Sequence, residues 1–139
     1  MNTGAMKYNG VIENKLRIIE EKIQEIEDWK ISSFQEFNDS SLLRNAVERA
    51  LQVAIEAMID VSERILSLKR IPPAESGASN LEALEKQGVI ISADSYKDMV
   101  RFRNFIVHRY ERIDPEIVFG IINNKLSLFR EFIHEIRSS

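Results

Sequence analysis

Apolar residues recur at three- and four-residue steps through most of this chain, and nowhere do they alternate with polar ones for long enough to suggest a strand. Leu16, Ile19, Ile23 and Ile26 trace one stripe, so a first helix is expected from about Lys7 to Trp29. The stretch Lys30 to Asp39, with Ser32, Ser33, Asn38 and Asp39, reads as a connection. The longest helix, from about Ser41 to Arg70, carries Val47, Ala50, Leu51, Ala54, Met58, Val61 and Ile65 on its main stripe, with Val53, Ile55 and Ile59 falling outside it. A helix that is apolar on more than one side needs more than one neighbour, either in its own bundle or across a subunit interface.

Pro72 and Pro73 end that helix, and a loop runs on to Ser79. Ser79-Asn80-Leu81-Glu82 has the form of a capping box and predicts a short helix, stopped by Gly88. Ser92 is placed to cap a helix that carries Tyr96 through about Tyr110. Asp114-Pro115 then opens the last helix, which presents Ile117, Ile121, Leu128, Phe132 and Ile136 and closes near the C-terminus. The expected architecture is all-α: an antiparallel bundle of four long helices and one short one, a single domain over residues 1–139 with residues 1–6 as a loose extension.

Composition changes this picture little. With 44% hydrophobic and 29% charged residues, the chain has the balance of a folded soluble protein. No apolar run approaches the roughly 18–20 residues that span a bilayer, and Met1 to Gly10 lacks the apolar core of a secretory signal. The lack of cysteine excludes disulfides and thiolate metal sites within the chain, and the expected location is the cytoplasm. A net charge of −3 excludes a polycation that coats nucleic acid indiscriminately. Locally the balance reverses. From Lys97 to Arg112, Lys97, Arg101, Arg103, Arg109 and Arg112 outnumber Asp98 and Glu111, so this is where a phosphate would be met, unless the segment is merely a solvated basic face.

Two histidines limit the acid–base options. His134 stands among Phe132, Ile133 and Ile136 without an evident partner and reads as structural or superficial. His108 lies among Arg101, Arg103, Arg109 and Tyr110. On a regular helix Asn104 and His108 share one face and Arg103 and Tyr110 another, whereas Arg103 and His108, five apart, diverge by about 140°. The two can meet on one phosphate if the helix distorts, if the long arginine wraps round, or if two subunits complete each other's site across a two-fold axis. RNA cleavage by the neighbouring ribose 2′-hydroxyl suits these residue types. Histidine, with an unperturbed pKa of about 6.5, can move the protons, and arginine offers a permanently charged fork to phosphate oxygens. The nucleophile is supplied by the substrate, so the chemistry calls for no metal and no cofactor, and no His/Asp/Glu set is spaced as an obvious metal cage. Asn104 could orient the histidine or the substrate, or simply pack. Asp60, on the flank of the longest helix near Val53 and Ala57, is either paired, for example with Arg64, or a partly buried functional carboxylate.

The run Arg103-Asn104-Phe105-Ile106-Val107-His108-Arg109-Tyr110 (arginine, four residues, histidine, one residue, tyrosine, with asparagine directly after the arginine) resembles the HepT-like branch of the HEPN superfamily. The segment Glu48 to Asp60 is similar to that family's second helix, including its acidic position at Asp60. The likeness spans about Val11 to Arg137. It implies a homodimer around the motif helices, with Arg103 and His108 of both chains forming a composite ribonuclease site supported by Arg101, Asn104, Arg109, Tyr110 and Asp60. It also implies a minimal nucleotidyltransferase antitoxin as partner, RNA as substrate, and silencing by AMP groups added to Tyr110. An added phosphate would bring negative charge beside Arg103. A second reading is a non-catalytic helical module that docks a nucleotidyltransferase or binds nucleotide. A third is a plain bundle in which Arg103 and His108 pair with acids such as Asp60 or Glu111.

Overall fold

The computed structural model describes residues 10–72, 74–107 and 113–139, and these form α-helices without a strand among them. In chain order they are α1 (Gly10–Asp28), α2 (Phe34–Asp39), α3 (Ser41–Leu68), α4 (Gly77–Lys86), a 3₁₀ turn (Ala93–Tyr96), α5 (Lys97–Val107), α6 (Pro115–Asn124) and α7 (Leu126–Ser138). The expected all-α bundle is present, with more and shorter pieces than the periodicity suggested.

α3 is the spine. Its 28 residues run for about 42 Å at 1.5 Å per residue, and α1, α2, α4 and α5 all pack on it. The whole expected stripe from Val47 to Ile65 is buried, as are Leu16, Ile19, Ile23 and Ile26 of α1. The second apolar side also finds its neighbour inside the bundle. Ile55 is fully buried, and Ile59 lies against the start of α4, so close that a Cβ added to Gly77 would sit 3.2 Å from its Cδ1.

Four local expectations are corrected. The connection 30–39 contains α2. Its polar residues are the ends of a helix rather than a loop: Ser33 Oγ accepts from the N–H of Glu36, whose carboxylate accepts in turn from the N–H of Ser32. The short helix is held by Phe37, fully buried, whose ring lies 5.9 Å from that of Phe119. α4 starts earlier than expected because Ser76, not Ser79, is the cap, its Oγ accepting from the N–H of Ser79 at 3.1 Å. Gly88 stops this helix's run in the expected place, at φ +75°.

Ser92 makes no side-chain cap either. The orphan N–H of Ala93 is instead accepted at 2.7 Å by Glu85 from α4, so the chain enters α5 through a 3₁₀ turn tied to its neighbour. Finally, the single last helix is two. Asp114 caps α6 as its sequence dictates, accepting from Glu116 N–H, but the helix ends at Asn124, after two residues of modest helix propensity, and Lys125 turns the chain at φ −126°, ψ 5°. The turn lets α6 pack through Val118 and Ile121 while Ile117, expected in the stripe, is 56% exposed.

α7 closes the bundle against α1. Arg130 donates to both carboxylate oxygens of Glu27 at 2.7 and 2.8 Å, to Glu20 at 3.0 Å and to Gln24 at 3.3 Å. Arg137 reaches Glu13 at 3.0 Å. The Arg130 hydrogen bonds hold the Glu27 carboxyl below its ordinary value of 4.5. A carboxyl with a depressed folded pKa adds stability above its unfolded value and loses it as pH falls through the folded one. The urea midpoint is therefore expected to drop as pH falls below the ordinary Glu27 value of 4.5, and Arg130→Gln should flatten that drop. An unchanged pH profile in the variant would mean that the clasp does not contribute.

Candidate active site

α5 carries the described part of the sequence motif. Met99, Val100 and Phe102 are buried and seat its inner face on the bundle. The approach is fixed by Tyr96, fully buried, whose ring meets Phe132 edge-on at 5.4 Å and whose hydroxyl donates to Glu135 of α7. Burial first, and then the nearby Glu135 carboxylate, push the Tyr96 phenol far above its ordinary range, so it is a fixed donor rather than an acid. Glu135 also accepts from the N–H of Ile91 at 2.8 Å. On the other flank Asp98 pairs with Lys125 at the α6–α7 turn, and this bond keeps the Asp98 carboxyl below its usual value.

Against this frame Arg103 is half-buried. Its Nη1 lies 3.4 Å from Asn104 Oδ1, a long and weak bond. Its Nε is buried with no hydrogen-bond partner among the described residues. A buried guanidinium N–H left without an acceptor is costly. Asn104 is exposed. Arg101 extends into solvent, its side chain 74% exposed and 3.7 Å from Asp98. Two residues apart on a helix point about 200° apart, so Arg101 and Arg103 serve opposite sides of α5. His108, Arg109 and Tyr110 lie outside the described residues, as does the Glu111 that the plain-bundle reading offered as a partner.

Asp60 does not stand over the motif as an unpaired acid. It bridges Lys15 of α1 at 3.1 Å and Arg64 at 3.2 Å, the paired reading of the sequence rather than a pairing with Arg103. His134 is exposed on α7, as its superficial reading required.

Two depressions flank α5. One, a cleft of about 750 Å³, is bounded by α4, the 3₁₀ turn and the side of α5 bearing Lys97, Arg101 and Asn104. The other, a groove of about 460 Å³ between α5 and α6, is lined by Phe102, Phe105, Ile113, Ile117 and Ile121, with Phe105 45% exposed. Sequence reasoning did not find either. Both depend on how α4 and α6 lie beside α5, and the only available signal was apolar Phe105 and Ile117 at positions that the bundle does not cover. Among the described residues no group of His, Asp and Glu is assembled that could hold a metal, and no helix is long and apolar enough to cross a membrane.

Comparison with known proteins places this arrangement. A family model described as ribonuclease HepT-like matches residues 19–136. The mRNA nuclease HepT of Shewanella oneidensis is 28% identical over 132 residues, covering 94% of this chain and 98% of that protein. The tRNA nuclease HepT of Aphanizomenon flos-aquae is 29% identical over 135 residues, covering 92% and 88%. A solved structure of the tri-AMPylated HEPN toxin of Shewanella oneidensis in complex with MNT antitoxin superposes with a TM-score of 0.86 at 27% identity, over 95% of this chain and all of that one.

Proposed function

The chain belongs to the ribonuclease HepT-like family, and from that premise we propose that it is a metal-independent endoribonuclease toxin of a toxin–antitoxin pair. In this reading it works in the cytoplasm as a homodimer and is silenced by a minimal nucleotidyltransferase antitoxin that adds AMP to Tyr110. The observation that carries the proposal is the half-buried Arg103, whose guanidinium makes among the described residues only a long contact to Asn104, at 3.4 Å, and which stands at the head of the family's arginine–histidine–tyrosine pattern. Its terminal Nη groups are the donors from which an RNA phosphate oxygen would accept.

The chemistry follows from those groups. The ribose 2′-oxygen attacks the adjacent phosphorus, its proton passing to a histidine. The P–O5′ bond breaks as a histidine returns a proton to the leaving 5′-oxygen, which leaves a cyclic phosphate and a free 5′-hydroxyl. With two chains in the site, one His108 acts as base and the other as acid, while Arg103 neutralises the charge gathering on the non-bridging oxygens. Asn104, exposed beside Arg103, is positioned to hydrogen-bond the ribose or the phosphate. The dimer proposal draws on the exposed Phe105 and Ile117 of the α5–α6 groove, since apolar surface of this kind marks contact sites. The same surface favours the second reading, a docking module without turnover.

The test compares the chain expressed alone with the chain expressed beside its neighbouring nucleotidyltransferase. Alone, it is expected to cut RNA in the presence of a chelator. Co-expressed, it is expected to gain the mass of AMP on a peptide containing Tyr110 and to lose cleavage. An unmodified chain that leaves RNA intact yet co-purifies with the transferase would overturn the nuclease reading in favour of the docking module.

A further inference from the structure

We propose that the cleft between α4 and α5 seats one ribonucleotide of the RNA strand beside the scissile bond, with Glu82 reading the edge of its base and Lys86 and Arg101 taking its phosphate. This rests on the nuclease reading above and adds to it a determinant of base preference.

The argument is one of elimination among the side chains that line the cleft. Glu82, Glu85 and Asp94 face Lys86, Lys97 and Arg101 there, so its net charge is zero and neither a bare polyanion nor a simple cation is its natural occupant. Several of these groups are already committed. Glu85 is taken up by the N–H of Ala93 at 2.7 Å, and Lys97 by Asp94 at 3.2 Å. Glu82 and Lys86 are exposed on α4 with no partner among the described residues, and Arg101 meets only Asp98, at the edge of ion-pair range. One carboxylate and two cations therefore remain available. The lining also includes the small apolar residues Ala78, Ala83, Ala93 and Val100, and Asn104 of α5.

That set matches a nucleotide in both of its halves. Ammonium and guanidinium groups bind phosphate oxygens. A carboxylate accepts from amino groups on a base edge, and small apolar side chains accept the flat face of the ring. The cleft also lies in the right place. Lys97, Arg101 and Asn104 follow each other at steps of four and three, which puts them on one face of α5, and Asn104 adjoins Arg103, the proposed phosphate clamp. Arg103 projects from the side of α5 opposite Arg101, so a strand held there reaches the cleft by passing over Asn104, whose Oδ1 lies 3.4 Å from Arg103 Nη1. Because a carboxylate only accepts hydrogen bonds, guanine, adenine and cytosine, which carry exocyclic amino groups, fit Glu82. Uracil presents carbonyls where those bases carry an amino group and offers only its N3–H, so it fits less well.

The experiment uses the full chain carrying His108→Ala, so that RNA stays intact, and measures binding of short labelled oligoadenylate, oligocytidylate and oligouridylate by fluorescence anisotropy at several salt concentrations. Adding Glu82→Gln is expected to reduce the preference for the adenine and cytosine oligomers over the uridine oligomer by roughly tenfold, the scale of one good base-edge contact. Adding Lys86→Gln with Arg101→Gln is expected to weaken all three alike and to make the salt dependence shallower, by roughly 0.7 in logarithmic slope for each phosphate contact removed from a single strand. All three substitutions are on exposed side chains, so circular dichroism should be unchanged. Equal effects of Glu82→Gln on every oligomer, an unaltered salt slope in the double variant, or no oligonucleotide binding at all would each overturn the proposal. Cleavage by the unsubstituted chain, assayed in parallel, separates the two claims. Absent cleavage with base-dependent binding sinks the nuclease reading alone, and cleavage with binding indifferent to these side chains sinks the cleft alone.

Discussion

His108→Ala is expected to lower the rate of RNA cleavage by two to four orders of magnitude, about the range that a positioned acid–base group supplies. In a composite site the loss falls at the upper end, because substituting one position in the sequence removes both the base and the acid. Binding of RNA should change far less, since the phosphate is held by the guanidinium of Arg103. The loss should therefore appear in kcat with KM nearly preserved, the signature of an interaction made in the transition state. Mixing the variant with an Arg103→Ala chain gives a further discriminating result. Where sites are shared between subunits, each mixed dimer retains one arginine and one histidine, and its activity should differ from the sum of the two inactive parents. Full activity in the His108→Ala chain, measured in chelator to exclude a contaminating metal nuclease, would remove the imidazole from the mechanism.

The second large effect concerns stability. Phe132 is fully buried in α7 and is the ring against which Tyr96 packs. Phe132→Ala is expected to cost about 3–5 kcal/mol through lost burial and the cavity left behind, lowering the melting temperature by on the order of 10 °C. Because Tyr96 leads directly into α5, the variant's nuclease activity should fade at a lower temperature than that of the parent, even where the bundle as a whole remains folded. Leu42→Ala is the matched control. That side chain is 80% exposed and its truncation should stay within about 0.5 kcal/mol. A melting temperature in Phe132→Ala equal to that of the control would mean that the ring carries no core packing.

What the sequence disclosed, and what it withheld, follows from the range over which each signal acts. The stripe of α1 and the two-sided pattern of α3 were legible because burial on a helix repeats every three to four residues, and those helices are long enough to repeat it. Asp114-Pro115 was legible because capping is settled within four residues. α2 was missed since six residues give no periodicity, and its polar ends looked like a loop. The division at Lys125 was missed because apolar positions continue on both sides of it. Only the demand that Phe119 reach Phe37 while Phe129 and Phe132 reach the core forces a turn there, and that demand is tertiary.

The same holds for the start of α5. Ser92 has the composition of a cap, but Glu85, eight residues before Ala93 on another helix, accepts the Ala93 N–H instead. At the site, Arg103 and Asn104 were recognisable from their place in a family pattern. The cleft beside them was not, because Glu82 and Lys86 acquire meaning only when α4 is laid alongside α5. Asp60 was ambiguous in sequence, since a flank position is consistent with either pairing or function, and the structure gives it two cations, one of them from α1.

The bond from Tyr96 to Glu135 has a bearing on how such a chain is made. Besides the contacts of α5 with α3 and α4, the approach to the motif helix is held by a carboxylate 39 residues further on, in α7. During synthesis, where earlier segments emerge and fold first, α5 leaves the ribosome before the group that anchors its approach exists. A polypeptide interrupted before α7 carries the arginine and the histidine but lacks the carboxylate that holds Tyr96.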